Sequence, residues 1–226
     1  MQAAINTELI EFNNWALRVR TSQSESPRLL VLLHGWTGDE NSMWVFTRGL
    51  SPDYWMIAPR APHPSEPSGF SWRPPQPLTE GRPSLEMLLP AAEALIRLID
   101  EYSASVKLDA LQFDLMGFSQ GAAMVNVMGM LHPHRVRKMG VLSGFVPSGL
   151  EELVSQKPLA GKNIFVAHGT QDQMVPVNRA RASIEILEQA GAQVTYCEDE
   201  VGHKLSANCL RALENYLSLS NGIGQD

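Results

Sequence analysis

Arg28–Leu33 is a nearly continuous apolar run that ends at His34-Gly35, and it limits the folds open to this chain more than any other stretch. A run without polar alternation is typical of a strand that is buried on both faces of a sheet. Such strands occur in parallel sheets that helices cover on both sides. The sequence therefore favours the α/β class.

The remaining elements support this class because strand-like and helix-like runs alternate. Thr7–Phe12 and Trp15–Arg20 flank Asn13-Asn14, which predicts an antiparallel hairpin. Further strands are predicted at Arg28–Leu33, Trp55–Ala58, Leu111–Met116, Met139–Leu142, Asn163–Ala167 and Gln193–Cys197. Helices are predicted at Asn41–Leu50, Ser84–Glu101, Ala122–Leu131, Asn178–Gln189 (capped by Asn178) and Ser206–Leu217. We expect a mostly parallel central sheet with an N-terminal antiparallel hairpin and helices on both faces.

Length and composition fit one domain over residues 1–226. The chain has 226 residues, 44% of them hydrophobic, and no linker divides it. The segment from Ser143 to Lys162 is too short for a large helical cap domain. Residues 59–83 hold eight of the fifteen prolines, which excludes a regular helix or a central strand there. Because a long irregular loop is uncommon in a compact domain, we expect this loop to serve function.

Charge, hydropathy and cysteine usage exclude several classes of protein. The net charge is −6 and basic runs are short, so nucleic acid is not an expected partner. No stretch reaches the roughly 18 apolar residues of a membrane span, and the N-terminus does not resemble a secretory signal. We expect Cys197 and Cys209 to be reduced core thiols in a cytoplasmic protein.

The segment Gly117-Phe118-Ser119-Gln120-Gly121 follows a predicted strand and precedes a predicted helix. This is the G-x-S-x-G pattern of a tight corner that presents a serine nucleophile. A Cβ at position 117 or 121 would collide with neighbouring backbone, which explains the glycines. We therefore predict that Ser119 is a nucleophile at the carboxyl edge of the sheet.

A serine nucleophile needs a histidine base and a carboxylate that orients it, in the chain order serine, acid, histidine. Asp172 follows the strand Asn163–Ala167, and His203 lies between the last strand and the last helix. The rival acids are Asp114, which precedes the serine in its own strand, and Asp199, which lies in an acidic run. The other histidines are expected to be structural or solvent-facing: His34, His63, His132, His134 and His168.

The oxyanion of an acyl-transfer intermediate needs two hydrogen-bond donors. One is expected to be the backbone N–H of Gln120, the residue after the nucleophile. The other is expected from the loop after the buried strand, where Gly35 lets the chain turn and Trp36 offers its N–H.

Taken together, these motifs resemble the α/β-hydrolase fold and, within it, the phospholipase/carboxylesterase family, which includes acyl-protein thioesterases. The resemblance rests on His34-Gly35-Trp36, Gly117–Ala122, His168–Asp172 with Val175-Pro176, and Gly202-His203. It spans about residues 28–217 and implies a serine hydrolase with the triad Ser119, Asp172 and His203. It also implies no metal and no organic cofactor.

The chain departs from the family at one motif. Members with lipid or protein substrates often carry Leu-Gly after His-Gly, where this chain has Trp36-Thr37. A tryptophan there would narrow the acyl slot and favour short or compact acyl groups. The residues expected to line the substrate pocket, with core packing as the alternative for each, are Phe70, Trp72, Phe118, Met174 and Val175.

The sequence therefore predicts a carboxylesterase that acts on a small-molecule ester through an acyl-enzyme. The nearest alternative is a thioesterase or lysophospholipase acting on long acyl chains. A second alternative is a ligand receptor on a hydrolase scaffold, with slow turnover or none. A homodimer agrees with the resemblance, although no interface can be identified in the sequence.

Overall fold

The structure is a computed structural model that describes residues 6–75 and 83–218. The strands are β1 (Glu8–Phe12), β2 (Trp15–Arg20), β3 (Arg28–Leu33), β4 (Tyr54–Pro59), β5 (His63–Pro64), β6 (Phe70–Ser71), β7 (Phe113–Phe118), β8 (Val136–Leu142), β9 (Asn163–Gly169) and β10 (Gln193–Asp199). The helices are α1 (Leu85–Val106), α2 (Gln120–Leu131), α3 (Glu151–Ser155), α4 (Val177–Gln189) and α5 (Ala207–Ser218). A short 3-10 helix spans Ser42–Phe46.

Eight strands form one mixed sheet in the order β1-β2-β4-β3-β7-β8-β9-β10, and β5 pairs with β6 separately. Strand β2 runs antiparallel to both β1 and β4, while the pairs from β4 to β10 are parallel. The hairpin turn has Asn13 at φ 48° and Asn14 at φ 66°, the left-handed conformation that a two-residue hairpin turn requires. The α/β fold with its N-terminal antiparallel strands is confirmed, and residues 6–75 and 83–218 contain no cap domain.

The core consists of one apolar layer on each face of the sheet. In β3, Leu29, Val31 and Leu33 pack toward α1 and α2, whereas Leu30 and Leu32 pack toward α5. Both sets of side chains are fully buried, which explains why this strand has no polar alternation.

A hydrogen-bonded network joins the amino edge of the sheet to the end of α5. Asp114, buried in β7, accepts hydrogen bonds from Arg137 (2.9 and 3.1 Å) and from the Tyr54 hydroxyl (2.7 Å). Arg28 and Lys138 both donate to the Leu217 carbonyl, at 2.7 and 3.3 Å. The last helix is thereby fixed to three strands that are distant in sequence.

Two local predictions are wrong. Helix α4 begins at Val177 with Pro176 as its N-cap, so Asn178 lies in the first turn and does not cap it. Cys197 and Cys209 are not free thiols but form a disulfide. Packing of α5 against β10 brings their Cα atoms to 5.6 Å, a separation that composition and spacing did not reveal.

Part of the predicted proline-rich loop, residues 76–82, lies outside the described residues. Pro59, its first residue, ends the central strand β4, and the other described residues of the loop contain β5 and β6 and no helix or central strand, as the prolines predict. Among the helices of the described ranges, none is long and apolar enough to cross a membrane.

Candidate active site

The carboxyl edge of the parallel strands brings the predicted catalytic segments together. Leu33 of β3 is in register with Gly117 of β7, so the loop after β3 lies beside the corner that carries Ser119. Gly169 of β9 is in register with Asp199 of β10, so the loops with Asp172 and His203 are also neighbours. The chain changes direction across the sheet at β3, which has β4 on one side and β7 on the other. Such a switch point is where α/β sheets bind ligands.

Ser119 sits at a strained corner between β7 and α2, with φ 54° and ψ −115°. The Ser119 N–H donates to Leu142 O at 2.9 Å, which holds the corner against β8. A Cβ at Gly117 would lie 2.2 Å from Gly121 O, and one at Gly121 would lie 2.0 Å from Leu33 O. The collisions expected from the sequence therefore occur, and they account for both glycines.

Asp172 and His203 form a direct pair. His203 Nδ1 lies 2.6 Å from Asp172 Oδ2, and the Asp172 side chain is fully buried. Asp172 Oδ1 accepts the N–H groups of Met174 and Val175, both at 2.9 Å. One carboxylate oxygen thus shapes its own loop while the other holds the imidazole, which leaves Nε2 as the free ring nitrogen of His203.

Phe118, the residue before Ser119, contacts the imidazole of this pair. The Phe118 ring lies 4.8 Å from the His203 ring, measured between centroids, and stacks on Phe46 from the other side. Within residues 6–75 and 83–218, no hydrogen bond joins Ser119 Oγ to His203. Catalytic hydrogen bonds are often long or poorly aligned without substrate, so this geometry does not exclude Ser119 and His203 as partners.

The rival acids lie elsewhere. Asp114 is at the amino edge of the sheet, paired with Arg137, at the opposite end of β7 from Ser119. Asp199 Oδ1 accepts the N–H of Glu200 and does not contact the imidazole. His168 is buried, and its Nε2 lies 2.7 Å from Val175 O and 3.4 Å from Asp172 Oδ2. It supports the acid loop, in agreement with a structural role.

The loop after β3 forms a tight turn beside the nucleophile. Gly38 N donates to Gly35 O at 3.0 Å, so Trp36 and Thr37 occupy the two corners. A Cβ at Gly35 would lie 3.2 Å from Ser119 Cβ, which shows how closely the turn approaches the corner. Thr37 has φ 65°, a left-handed conformation that is costly for a β-branched residue.

His34 fixes this turn to two other segments. Its Nε2 accepts the Ala61 N–H at 3.0 Å, its Nδ1 lies 2.7 Å from Gly35 O, and its carbonyl accepts from Trp72 Nε1 at 2.8 Å. Burial lowers the pKa of His34, which keeps the ring neutral with Nε2 free to accept. The structural role expected for this histidine agrees with these contacts.

The Gln120 side chain has a role that the sequence did not suggest. Its Oε1 accepts the Trp72 N–H at 2.9 Å, and its Nε2 donates to Ser71 Oγ at 3.1 Å. The residue after the nucleophile therefore holds the segment that follows β6. Because these partners are separated by 48 residues or more, no local pattern could reveal the contact.

Trp72 and Val175 are core residues rather than pocket walls. Trp72 is 0% exposed, and its ring centroid lies 5.1 Å from that of His34. Its indole N–H donates to the buried His34 carbonyl and so does not face a pocket. Val175 is 5% exposed beneath Asp172. Phe70 is half-buried, with the Arg60 guanidinium 4.8 Å from its ring centre, and Met174 is 61% exposed.

A cavity of about 460 Å³ opens beside Trp36, whose side chain is 43% exposed. Its other walls come from the proline-rich loop, namely Pro64–Glu66, Ser71 and Arg73–Pro75. Ser71 is one of the residues held by Gln120, so the cavity wall is tied to the corner that carries Ser119. Among the described residues, no group of three or more His, Cys, Asp or Glu side chains is placed to hold a metal ion.

Comparison with known proteins finds similarity to plant carboxylesterases. The chain is 29% identical over 219 residues to the probable carboxylesterase SOBER1-like of Arabidopsis thaliana, covering 89% of this chain and 81% of that protein. With carboxylesterase SOBER1 of the same plant it shares 31% identity over 106 residues, which is 46% of each chain. A rice protein (Oryza sativa subsp. japonica), 26% identical over 90% of this chain and 91% of its own length, is named a probable inactive carboxylesterase.

Solved structures show the same fold. The carboxylesterase of Bacillus cereus superposes with a TM-score of 0.78 at 21% identity, covering 91% of this chain and 94% of that one. Residues 14–221 match the phospholipase/carboxylesterase family as a whole. Since this match spans nearly the full sequence, the chain belongs to the phospholipase/carboxylesterase family.

Proposed function

We propose that this chain is a serine carboxylesterase that hydrolyses small-molecule esters with short or compact acyl groups. The observation that supports it most is the Asp172–His203 contact of 2.6 Å next to a serine held at a strained corner. A serine hydroxyl is a poor nucleophile until a base takes its proton, and this histidine has a free Nε2 and a carboxylate behind it.

The reaction follows from these positions. Ser119 Oγ attacks the acyl carbonyl while His203 Nε2 takes its proton. His203 then gives the proton to the leaving alcohol, and Asp172 keeps the imidazole in the tautomer that allows both steps. Water activated by His203 releases the acyl group from Ser119.

Two backbone N–H groups stabilise the oxyanion in this proposal. Gln120 N–H belongs to the first turn of α2, where N–H groups have no partner inside the helix. Trp36 N–H lies at the first corner of the turn whose Gly35 approaches Ser119. The positive end of α2 adds to their effect on the developing charge.

Acyl size is set by the cavity beside Trp36. Its walls include Pro64, Pro74 and Pro75, together with Ser71, which is anchored through Gln120, so these parts of the wall resist widening to admit a larger group. The exposed side chains of Trp36 and Met174 favour the second candidate, a thioesterase or lysophospholipase, because a long alkyl chain could lie against them.

Hydrolysis of p-nitrophenyl esters of increasing acyl length tests both candidates. We expect fast cleavage of short esters by the wild type and a loss of several orders of magnitude in Ser119→Ala. Ser155→Ala, which changes an exposed serine in α3, is the matched control and should keep full activity. A Ser119→Ala protein that keeps most of its activity would refute the proposal, and a rate that rises with chain length would favour the second candidate.

A further inference from the structure

The disulfide encloses the segment that carries His203. Cys197 lies near the end of β10 and Cys209 in the first turn of α5, twelve residues further on. His203 is near the middle of the loop between them. The bond therefore joins the two elements from which the imidazole is presented to Asp172.

The part of this loop before His203 is held by the sheet. Thr170 N donates to Asp199 O at 2.9 Å, and Gln171 N donates to Val201 O at 3.0 Å. Gly169 permits this approach, because a Cβ there would lie 2.2 Å from Val201 O. These contacts do not involve the cysteines and remain after any change at sulfur.

The part after His203 is held differently. Its described backbone hydrogen bonds are local: Lys204 N donates to Gly202 O at 2.8 Å, and Cys209 N donates to Ser206 Oγ at 3.0 Å. The far end of α5 is fixed to the sheet, since the Tyr216 hydroxyl donates to Asn163 O at 2.6 Å. The disulfide is thus the covalent tie between the beginning of α5 and the sheet.

The two cysteine residues differ in exposure. Strand β10 is an edge strand and Cys197 is half-buried, whereas Cys209 is 2% exposed. An incoming thiolate therefore reaches the Cys197 sulfur first, and Cys209 leaves as a thiolate. The leaving thiolate lies in the first turn of α5, where the helix N-terminus stabilises negative charge and so eases departure.

We propose that Cys197–Cys209 is a thiol–disulfide exchange site through which a dithiol lowers the catalytic competence of His203. This inference rests on the esterase proposed above. A dithiol thiolate bonds to Cys197 while the S–S bond breaks, and Cys209 takes up a proton. The second thiol of the reductant then displaces Cys197, so the reductant leaves as a disulfide and the protein gains two electrons and two protons.

Reduction releases the beginning of α5, and with it the part of the loop that positions His203. The acid, the nucleophile and the cavity beside Trp36 lie on other segments and keep their places. Because a displacement of about 1 Å in a catalytic group can cost on the order of a hundredfold in rate, we expect kcat to fall about tenfold. KM should stay within about twofold, because the contacts that bind the substrate equally in the ground state and the transition state are unchanged.

The test compares oxidised, dithiothreitol-reduced and reoxidised full-length protein on p-nitrophenyl acetate. The chain has two cysteines, both in this bond, so the dithiol has one site of action on the protein. It is removed by gel filtration before each assay, because a free thiolate would cleave p-nitrophenyl acetate directly. We expect kcat to fall on reduction and to recover on reoxidation, with a changed pH profile of kcat/KM. The double variant Cys197→Ser/Cys209→Ser should have the kcat of the reduced wild type, and this kcat should not change on treatment with the dithiol.

Three results would overturn the inference. One is a kcat that is the same in both redox states. The second is loss of the far-UV circular dichroism of the native fold on reduction, which would make the bond a structural crosslink. The third is an oxidised protein that cleaves no ester, which would overturn the esterase proposal as well; the first two results leave that proposal standing.

Discussion

The two oxygens of Asp172 have separate tasks, and a single substitution can separate them. In Asp172→Asn, the amide oxygen should take the place of Oδ1, because two N–H donors, from Met174 and Val175, face that position. The amide NH2 then faces His203 Nδ1 and donates to it. This forces the proton onto Nε2, the wrong tautomer for accepting a proton from Ser119.

The expected magnitudes differ for rate and stability. A wrong tautomer costs about 10⁴ in kcat, which corresponds to about 5 kcal/mol in the activation barrier. Asp172→Asn keeps both loop hydrogen bonds in neutral form, so we expect it to lose about 1–2 kcal/mol in the free energy of unfolding. Asp172→Ala loses both charge-assisted bonds and leaves two N–H groups without a partner, so it should lose about 3–5 kcal/mol.

The assay is kcat on p-nitrophenyl acetate together with urea denaturation of each variant. Asp199→Asn is the matched control, since Asp199 is the last residue of the neighbouring strand β10 and its Oδ1 accepts the Glu200 N–H. It should keep nearly full activity. An Asp172→Asn protein with more than about a tenth of the wild-type kcat would refute the tautomer argument. Equal destabilisation by Asn and Ala would refute the role assigned to Oδ1.

Two further predictions concern stability. Thr37→Gly should raise the melting temperature by about 2 °C, because relief of left-handed strain is worth about 1 kcal/mol. Thr37→Ala is the control, because alanine keeps the strain. An equal rise in melting temperature in both variants would contradict this reasoning. Burial lowers the pKa of Lys138 to about 8, so the unfolded chain binds more protons between that pH and about pH 10.5, and the free energy of unfolding should rise across this range. Urea denaturation should show this rise in the wild type and not in Lys138→Met; the same rise in both would exclude Lys138 as its source.

Features set by local pattern could be predicted from the sequence. The Asn13-Asn14 turn, the buried strand β3 and the order of strands and helices all follow from rules that act over a few residues. The corner at Ser119 also belongs to this group, because its G-x-S-x-G pattern lies within five residues, although the atom that a Cβ at Gly121 would meet, Leu33 O, belongs to another strand.

Features set by contacts between distant segments could not be predicted. Trp72 is an aromatic residue in a proline-rich loop, and only the position of the His34 carbonyl shows that its indole is buried. The disulfide depends on how α5 packs against β10, and two cysteines in a sequence do not contain that information. The Gln120 side chain likewise finds its partners only when β6 lies against the corner.

The network around the Leu217 carbonyl has a consequence for synthesis. Arg28 binds an acceptor 189 residues later in the chain, so at roughly 5–20 residues per second it waits about 10–40 s for its partner. Over that interval β3 can pair with β4, but Arg28 and Lys138 at the amino edge of the sheet do not yet have the Leu217 carbonyl as an acceptor. The nascent chain therefore completes this edge only after α5 has been synthesised, and any earlier folded form lacks these hydrogen bonds.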